Sequence, residues 1–184
     1  MDGGIITTEQ VFLIISTILG SSVLAAIINH IATNRRDKRK ERKELIAKAQ
    51  RSVLRRVELC YRIRRRIHND SEDIKVIRDL AHEIQEENQY YESLLLVESK
   101  WYGNRYSLYL KAIKKLTSSS MQKAWSEKGS PSVVMEDALK LDHEKIDKLS
   151  RQFSKDSRRF MFLPVRIWMR VHDDITRGTK KYDI

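Results

Sequence analysis

The chain has 184 residues, a formal net charge of +11 and a single cysteine, Cys60. This length provides one compact domain with an appendage, and too little chain for two independent cores. A single cysteine excludes a disulfide framework and any zinc site built from thiolates, which is typical of a reducing compartment. The positive charge favours polyanionic partners, namely phosphate headgroups, nucleic acid or an acidic protein face, without choosing among them.

The composition favours helix in nearly every part of the chain. Only six glycines and two prolines interrupt it, and the long runs of Leu, Ile, Lys, Glu, Arg and Gln are good helix formers. The alternation of apolar and polar residues that strands show is not evident. We therefore predict an all-α fold, with one N-terminal transmembrane helix that continues into a cytoplasmic bundle of about five helices.

The segment from Val11 to Ala32 contains no formally charged residue. As a helix it would be roughly 33 Å long, which matches the hydrocarbon core of a bilayer. We predict a transmembrane helix over residues 11–33, after an extracytoplasmic N-terminus of residues 1–10. The alternative is a core helix of a soluble protein, but the apolar runs of such helices are usually shorter.

The two flanks of this segment differ in charge. Asp2 and Glu9 precede it without any Lys or Arg, and a dense basic run follows it. Lys and Arg accumulate on the cytoplasmic side of membrane spans, so residues 34–184 are predicted to be cytoplasmic. A cleaved signal peptide does not fit, because it needs a basic start. The basic run is predicted to bind anionic headgroups through Arg35, Arg36, Lys38, Arg39, Lys40, Arg42 and Lys43.

One face of the predicted span carries small and polar residues. At 100° per residue this face consists of Ser22, Ala25, Ala26, Asn29 and Thr33. Small residues let helix backbones approach each other, and Ser, Thr and Asn form hydrogen bonds across such contacts. The face is predicted to contact copies of the chain, or to line a pore if several copies form a ring. In the alternative interpretation, the polar side chains only satisfy their own helix or the headgroup boundary.

The rest of the chain shows helical periodicity. Ile46, Val53, Cys60 and Ile67 recur every seven residues, so the membrane helix is predicted to continue through them. Asp70 or Ser71 is predicted to cap the next helix. The stretch "WYGNRY" is predicted to break the helix and to be followed by a short helix over residues 105–116. Pro131 is predicted to open a helix that reaches Phe160. A last helix is predicted to follow Pro164 and to stop at Gly178.

The motifs of common enzyme classes are missing from the sequence. It has no glycine-rich phosphate loop, no paired cysteines and no GxSxG elbow, so we predict no enzyme activity, no cofactor and no metal. Two stretches, "RIRRRIH" and "RIWMRVH", place an arginine and a histidine with five residues between them. An arginine can bind phosphate oxygens while a histidine moves protons. Arg166 and His172, on the last predicted helix, are therefore a candidate catalytic pair, although His172 packed beside Trp168 is the simpler interpretation.

This Arg/His spacing resembles the motif of HEPN ribonucleases, which are helical bundles. The layout of the whole chain, with one N-terminal span, a basic continuation and a bundle ending in "RIWMRVH", is similar to the small membrane accessory proteins of type VI-B CRISPR systems. The resemblance implies a degenerate HEPN-like bundle over residues 34–184, a ring-shaped oligomer and permeabilisation of the inner membrane after an RNA-guided nuclease has recognised its target. It also implies that Arg166 and His172 are the HEPN-like pair and that residues 22–33 lie near a pore axis.

The expected function is that of a self-associating, single-pass protein of the bacterial inner membrane that forms a pore in antiviral defence. Its expected partners are copies of itself, the anionic bilayer and, by resemblance, an RNA-guided effector nuclease. The positive charge allows RNA as a partner, but nothing else in the sequence indicates it. The alternatives are a membrane-tethered HEPN-like ribonuclease and a non-catalytic membrane scaffold for a cytosolic partner.

Overall fold

The computed structural model describes residues 8–66, 70–129 and 141–171. The described parts are almost entirely helical and contain no strand, which confirms the predicted all-α class. The five helices are α1 (Thr8–Arg64), α2 (Ser71–Glu98), α3 (Lys100–Ser126), α4 (His143–Met161) and α5 (Leu163–Val171).

The chain divides into two units, Met1–Lys43 and Glu44–Ile184. Helix α1 is continuous and contributes residues to both units. The predicted continuation of the apolar N-terminal helix into the bundle is therefore confirmed along the described sequence.

The second unit is a bundle built around the last part of α1. Helix α3 packs on α2 and on α4, and α5 packs on α4. Hydrogen bonds join α1 to all three long partners: Ser52 to Asn88 of α2 and to Tyr106 of α3, and Gln50 to Ser150 of α4. Because α1 and α3 each contact both α2 and α4, the helices α2 and α4 occupy opposite corners of the bundle.

The bundle core forms along the predicted apolar faces. The α1 positions Ile46, Val53 and Cys60 are buried, as the seven-residue spacing predicts, whereas Ile67 lies outside the described residues. The largest fully buried side chains are aromatic and belong to α3 and α4. The buried rings of Tyr102 and Phe160 stack with centroids 4.6 Å apart. Stacked rings contribute stability beyond the area they bury, so this layer fixes how α3 packs on α4.

The connection between α2 and α3 corrects one prediction. The stretch "WYGNRY" does not break a helix but lies inside α3, which begins at Lys100 and ends at Ser126. The break is the single extended residue Ser99, whose hydroxyl accepts a hydrogen bond from the N–H of Tyr102 and whose own N–H donates to Leu95. One residue thus caps the end of α2 and the start of α3.

A glycine is needed at position 103 because α2 and α3 approach each other closely there, and not because the chain turns. A Cβ atom at this position would lie 2.5 Å from the side chain of Leu96 and 2.7 Å from its Cα atom. The Leu96 side chain can rotate away, but its backbone cannot, so only glycine lets the two helices meet this closely.

Gly103→Ala is therefore expected to lower the free energy of unfolding by up to about 2 kcal/mol. The helix propensity of alanine offsets about 1 kcal/mol of an overpacking penalty of about 1–3 kcal/mol. Tryptophan fluorescence during urea unfolding of the detergent-solubilised chain measures the effect, because Trp101, Trp125 and Trp168 all belong to the unit Glu44–Ile184. Gly20→Ala is the control, since a Cβ atom there meets no atom within 4 Å. Equal stability of both variants would contradict the close approach.

The start of α4 corrects a second boundary. Leu141 and Asp142 are not helical, so the helix does not run unbroken from Pro131 to Phe160; residues 130–140 lie outside the described residues. Asp142 caps α4, because its carboxylate accepts a hydrogen bond of 2.9 Å from the N–H of Lys145, and this bond holds the pKa of the carboxyl below its usual value. The next break falls at Phe162, and Pro164 occupies the first turn of α5. Proline is well tolerated there because first-turn N–H groups need no helical partner.

Candidate membrane-spanning face

The first part of α1 exposes its apolar side chains. Phe12 is 75% exposed and Ile28 65% exposed, and the other large apolar side chains described between Val11 and Ile31 are also exposed. By length and composition, α1 is the one described helix that can cross a membrane. A continuous apolar surface of this size is not stable in water and marks a contact with lipid or protein.

The five residues of the predicted small and polar face are all on α1 and all exposed: Ser22, Ala25, Ala26, Asn29 and Thr33. Within the part of the chain that the structure describes, the Asn29 amide forms no hydrogen bond. An unpaired amide costs several kcal/mol in hydrocarbon. Once α1 is in a bilayer, Asn29 therefore needs a partner from another helix or from water.

The polar groups in the first half of the span behave differently. The hydroxyls of Ser16 and Thr17 both donate to the backbone oxygen of Leu13, at 2.9 and 2.6 Å. Hydroxyls satisfied in this way can face lipid at little cost. For these two residues the interpretation that polar side chains satisfy their own helix is correct, and they point to no partner.

The small and polar face changes character along the helix. From Ser22 to Thr33 it extends about 16 Å, which is about half of the hydrocarbon thickness. Towards the N-terminus, the same face continues with the exposed apolar side chains of Val11 and Ile15. This face is therefore polar only in the half of the span next to the basic run.

The seven basic residues predicted to bind headgroups all lie on α1, directly after the apolar segment. Arg42 is half-buried and the other six, from Arg35 to Lys43, are exposed. Just before them, the side chains of His30 and Asn34 form a hydrogen bond of 3.0 Å. Their position suits contact with phosphate groups at a membrane surface.

The HEPN-like pair is only partly described. Arg166 is half-buried in α5, and His172 lies outside the described residues. In the second stretch, Arg62 is exposed on α1 and 3.8 Å from Glu58, and His68 again lies outside the described residues. The pairing of Arg166 with His172 therefore stays a prediction.

Arg66 of the stretch "RIRRRIH" has a structural role that the sequence did not indicate. Arg66 is buried and donates to the backbone oxygens of Ala124 and Glu127, at 2.8 and 2.5 Å, while its guanidinium lies 5.7 Å from the Trp125 ring centre. It thereby satisfies carbonyls at the C-terminal end of α3, where the helix dipole favours a cation.

Two further buried polar groups hold the bundle together. Arg105 of α3 and Asp156 of α4 form an ion pair, with Nε and one terminal nitrogen of the arginine 2.8 and 2.7 Å from the same carboxylate oxygen. The hydroxyls of Ser52 and Tyr106 and the amide oxygen of Asn88 form a second group at distances of 3.1–3.2 Å. The only sequence signal for either group is that Asp156 and Asn88 occupy apolar-face positions of their helices.

The described side chains that can react or titrate include Cys60, Tyr106 and His143. Burial raises the pKa of the Cys60 thiol to about 11, which keeps it protonated at neutral pH, and burial also raises the pKa of Tyr106. His143 forms a 2.6 Å hydrogen bond with Tyr61, and among the described residues no group of three or more His, Cys, Asp or Glu could hold a metal ion.

The chain matches no protein-family model, no curated protein and no solved structure.

Proposed function

We propose that this chain is a self-associating, single-pass membrane protein whose oligomer permeabilises the bacterial inner membrane as an effector or accessory of CRISPR-type antiviral defence. Its N-terminus is outside and its bundle is in the cytoplasm, an orientation that the basic run after the span favours. The observation that carries the proposal is Asn29, an exposed amide without a hydrogen-bond partner in the described chain, on a helical segment that contains no charged residue.

Self-association follows from the surroundings of Asn29. Ala25 and Ala26 lie next to it on the same face and leave room for a second helix backbone. A copy of the same helix brings its own amide to this contact, and an Asn–Asn hydrogen bond then removes the cost of burying both groups. In a lone span, the Asn29 amide has only its own helix or water at the membrane surface as a partner.

The division of this face into a polar and an apolar half suggests how a ring would control leakage. In a ring with these faces inward, Ser22 to Thr33 line a wet vestibule that opens to the cytoplasm. Val11 and Ile15 then form an apolar constriction in the outer half, and narrow apolar constrictions hinder ions by excluding water. The outer half therefore limits the leakage rate of the ring.

Leakage of a trapped dye from vesicles of phosphatidylethanolamine and phosphatidylglycerol tests the proposal. The variant carrying Ser22→Leu and Asn29→Leu keeps the helix and its apolar length but removes the polar groups. We expect its leakage rate to fall by at least about tenfold, because the lost hydrogen bond of Asn29 weakens each interhelical contact by about 1 kcal/mol and the vestibule no longer holds water.

The matched control carries Ser16→Leu and Thr17→Leu, two hydroxyls that are satisfied within their own helix. It should leak like the wild type, as should His172→Ala, which removes the HEPN-like histidine without altering the span. A correctly inserted wild-type oligomer that releases no dye would eliminate the pore.

A further inference from the structure

The charges of the bundle are segregated between helices. Helix α2 has eight acidic and two basic residues, whereas α3 has six basic residues and none that is acidic. Helix α4 has six basic and three acidic residues. In a chain of net charge +11, α2 is the one described helix with a net negative charge, so it is the surface to which another copy is attracted.

The acidic charge of α2 lies on its outer side. Residues spaced three and four apart form one exposed stripe, which we call the acidic face; it consists of Glu72, Val76, Asp79, Glu83, Glu86 and Tyr90. Glu83 already pairs with Arg55 of the same chain at 2.8 Å. Among the described residues, Asp79 and Glu86 form no ion pair, so their charges are available to a partner.

Helix α4 presents a basic counterpart. Its outer stripe, the basic face, consists of Lys148, Arg151, Lys155 and Arg158 and ends beside Phe162, which is 61% exposed. These four cations form no ion pair with any described residue. From Lys148 to Arg158 the face is about 15 Å long, and the acidic face from Glu72 to Glu86 is about 21 Å long, so one can cover the other.

The two faces lie at opposite corners of the bundle, because α1 and α3 separate α2 from α4. A single copy therefore cannot neutralise one face with the other, whereas a neighbouring copy can. Two different faces that complement each other produce a head-to-tail contact, which forms a ring when the rotation between copies closes. Apolar residues at both faces, Tyr90 and Phe162, add dry contact area to the charge pairing.

We propose that neighbouring copies associate through the acidic face of one bundle and the basic face of the next. This inference rests on the self-association in the proposed function and adds its interface and its direction. The contact depends on salt, because exposed charges are screened within about 10 Å at 0.1 M ionic strength.

Charge reversal tests the interface in the full-length, detergent-solubilised chain. One variant carries Asp79→Lys and Glu86→Lys, and the other carries Arg151→Glu and Lys155→Glu. Each has two faces of like charge, so we expect its apparent dissociation constant to rise by at least about tenfold in sedimentation or single-particle mass measurements. Mixing the two variants should restore assembly, because chains with two positive faces can alternate with chains with two negative faces. Reversing both faces on one chain should restore it as well.

The control carries Lys111→Glu and Lys115→Glu, exposed positions of α3 outside both faces, and should assemble like the wild type. Reversal variants that assemble normally would overturn the interface and leave self-association intact. Loss of assembly in both variants without rescue on mixing also overturns it. Loss of assembly on reversing only one of the two faces would overturn the pairing of the acidic face with the basic face. A wild-type chain that is monomeric at both low and high salt would contradict the interface and the proposed function together.

Discussion

Phe153→Ala is expected to lower the free energy of unfolding by about 3–5 kcal/mol. The Phe153 ring is fully buried and lies against three buried tyrosines of α3. Its centroid is 4.8 Å from that of Tyr109, 5.6 Å from that of Tyr102 and 5.9 Å from that of Tyr106. Removing it leaves a cavity that these rings cannot fill, since their hydroxyls are held in hydrogen bonds with other residues; Tyr109, for example, bonds to Ser150 at 2.9 Å.

Urea unfolding followed by tryptophan fluorescence measures this loss. Phe162→Ala is the matched control, because it removes the same ring from a position that is 61% exposed. We expect the control to change the free energy of unfolding by less than about 1 kcal/mol in the dissociated chain. Equal effects of both substitutions would contradict the close packing of Phe153 between α3 and α4.

Arg105→Met has the second largest expected effect, a loss of about 3–5 kcal/mol in the free energy of unfolding. Both partners of the ion pair are almost completely buried, with side chains that are 8% exposed. The substitution removes the cation and leaves the Asp156 carboxylate buried without its charge partner. The penalty arises mainly from this stranded charge, and the loss of attraction contributes less.

Two comparisons separate the stranded charge from other causes. The double variant with Arg105→Met and Asp156→Leu should regain most of the lost stability, because an apolar pair replaces a buried ion pair at little net cost. Arg55→Met removes an arginine whose side chain is 30% exposed and which pairs with Glu83 and Glu87. It should cost no more than about 1 kcal/mol. A double variant as unstable as Arg105→Met alone would show that packing, not charge, dominates at this site.

The local features of single helices could be predicted from the sequence. The uncharged run from Val11 to Ala32 predicts a helix that can cross a membrane, and α1 is such a helix. The seven-residue repeat of Ile46, Val53 and Cys60 predicts the buried side of α1 correctly. Asp70 and Ser71 are the two predicted caps of α2, and the cap is Asp70, whose carboxylate accepts a 2.8 Å hydrogen bond from the N–H of Asp73. These features depend on the geometry of one helix and on residues at most a few positions apart, so the sequence contains them in full.

Features that depend on two helices meeting were decided only by the tertiary structure. Gly103 has the chemistry of a helix end, but the contact with Leu96 makes it part of a helix interior. Arg105 and Asp156 are 51 positions apart, and nothing in either local pattern indicates that the bundle buries them together. The acidic and basic residues of α2 and α4 are visible in the sequence, yet only the packing of α1 and α3 between these helices puts the two charges at opposite corners. Periodicity specifies which side of a helix is buried, whereas the identity of the residue it meets depends on the packing of distant segments.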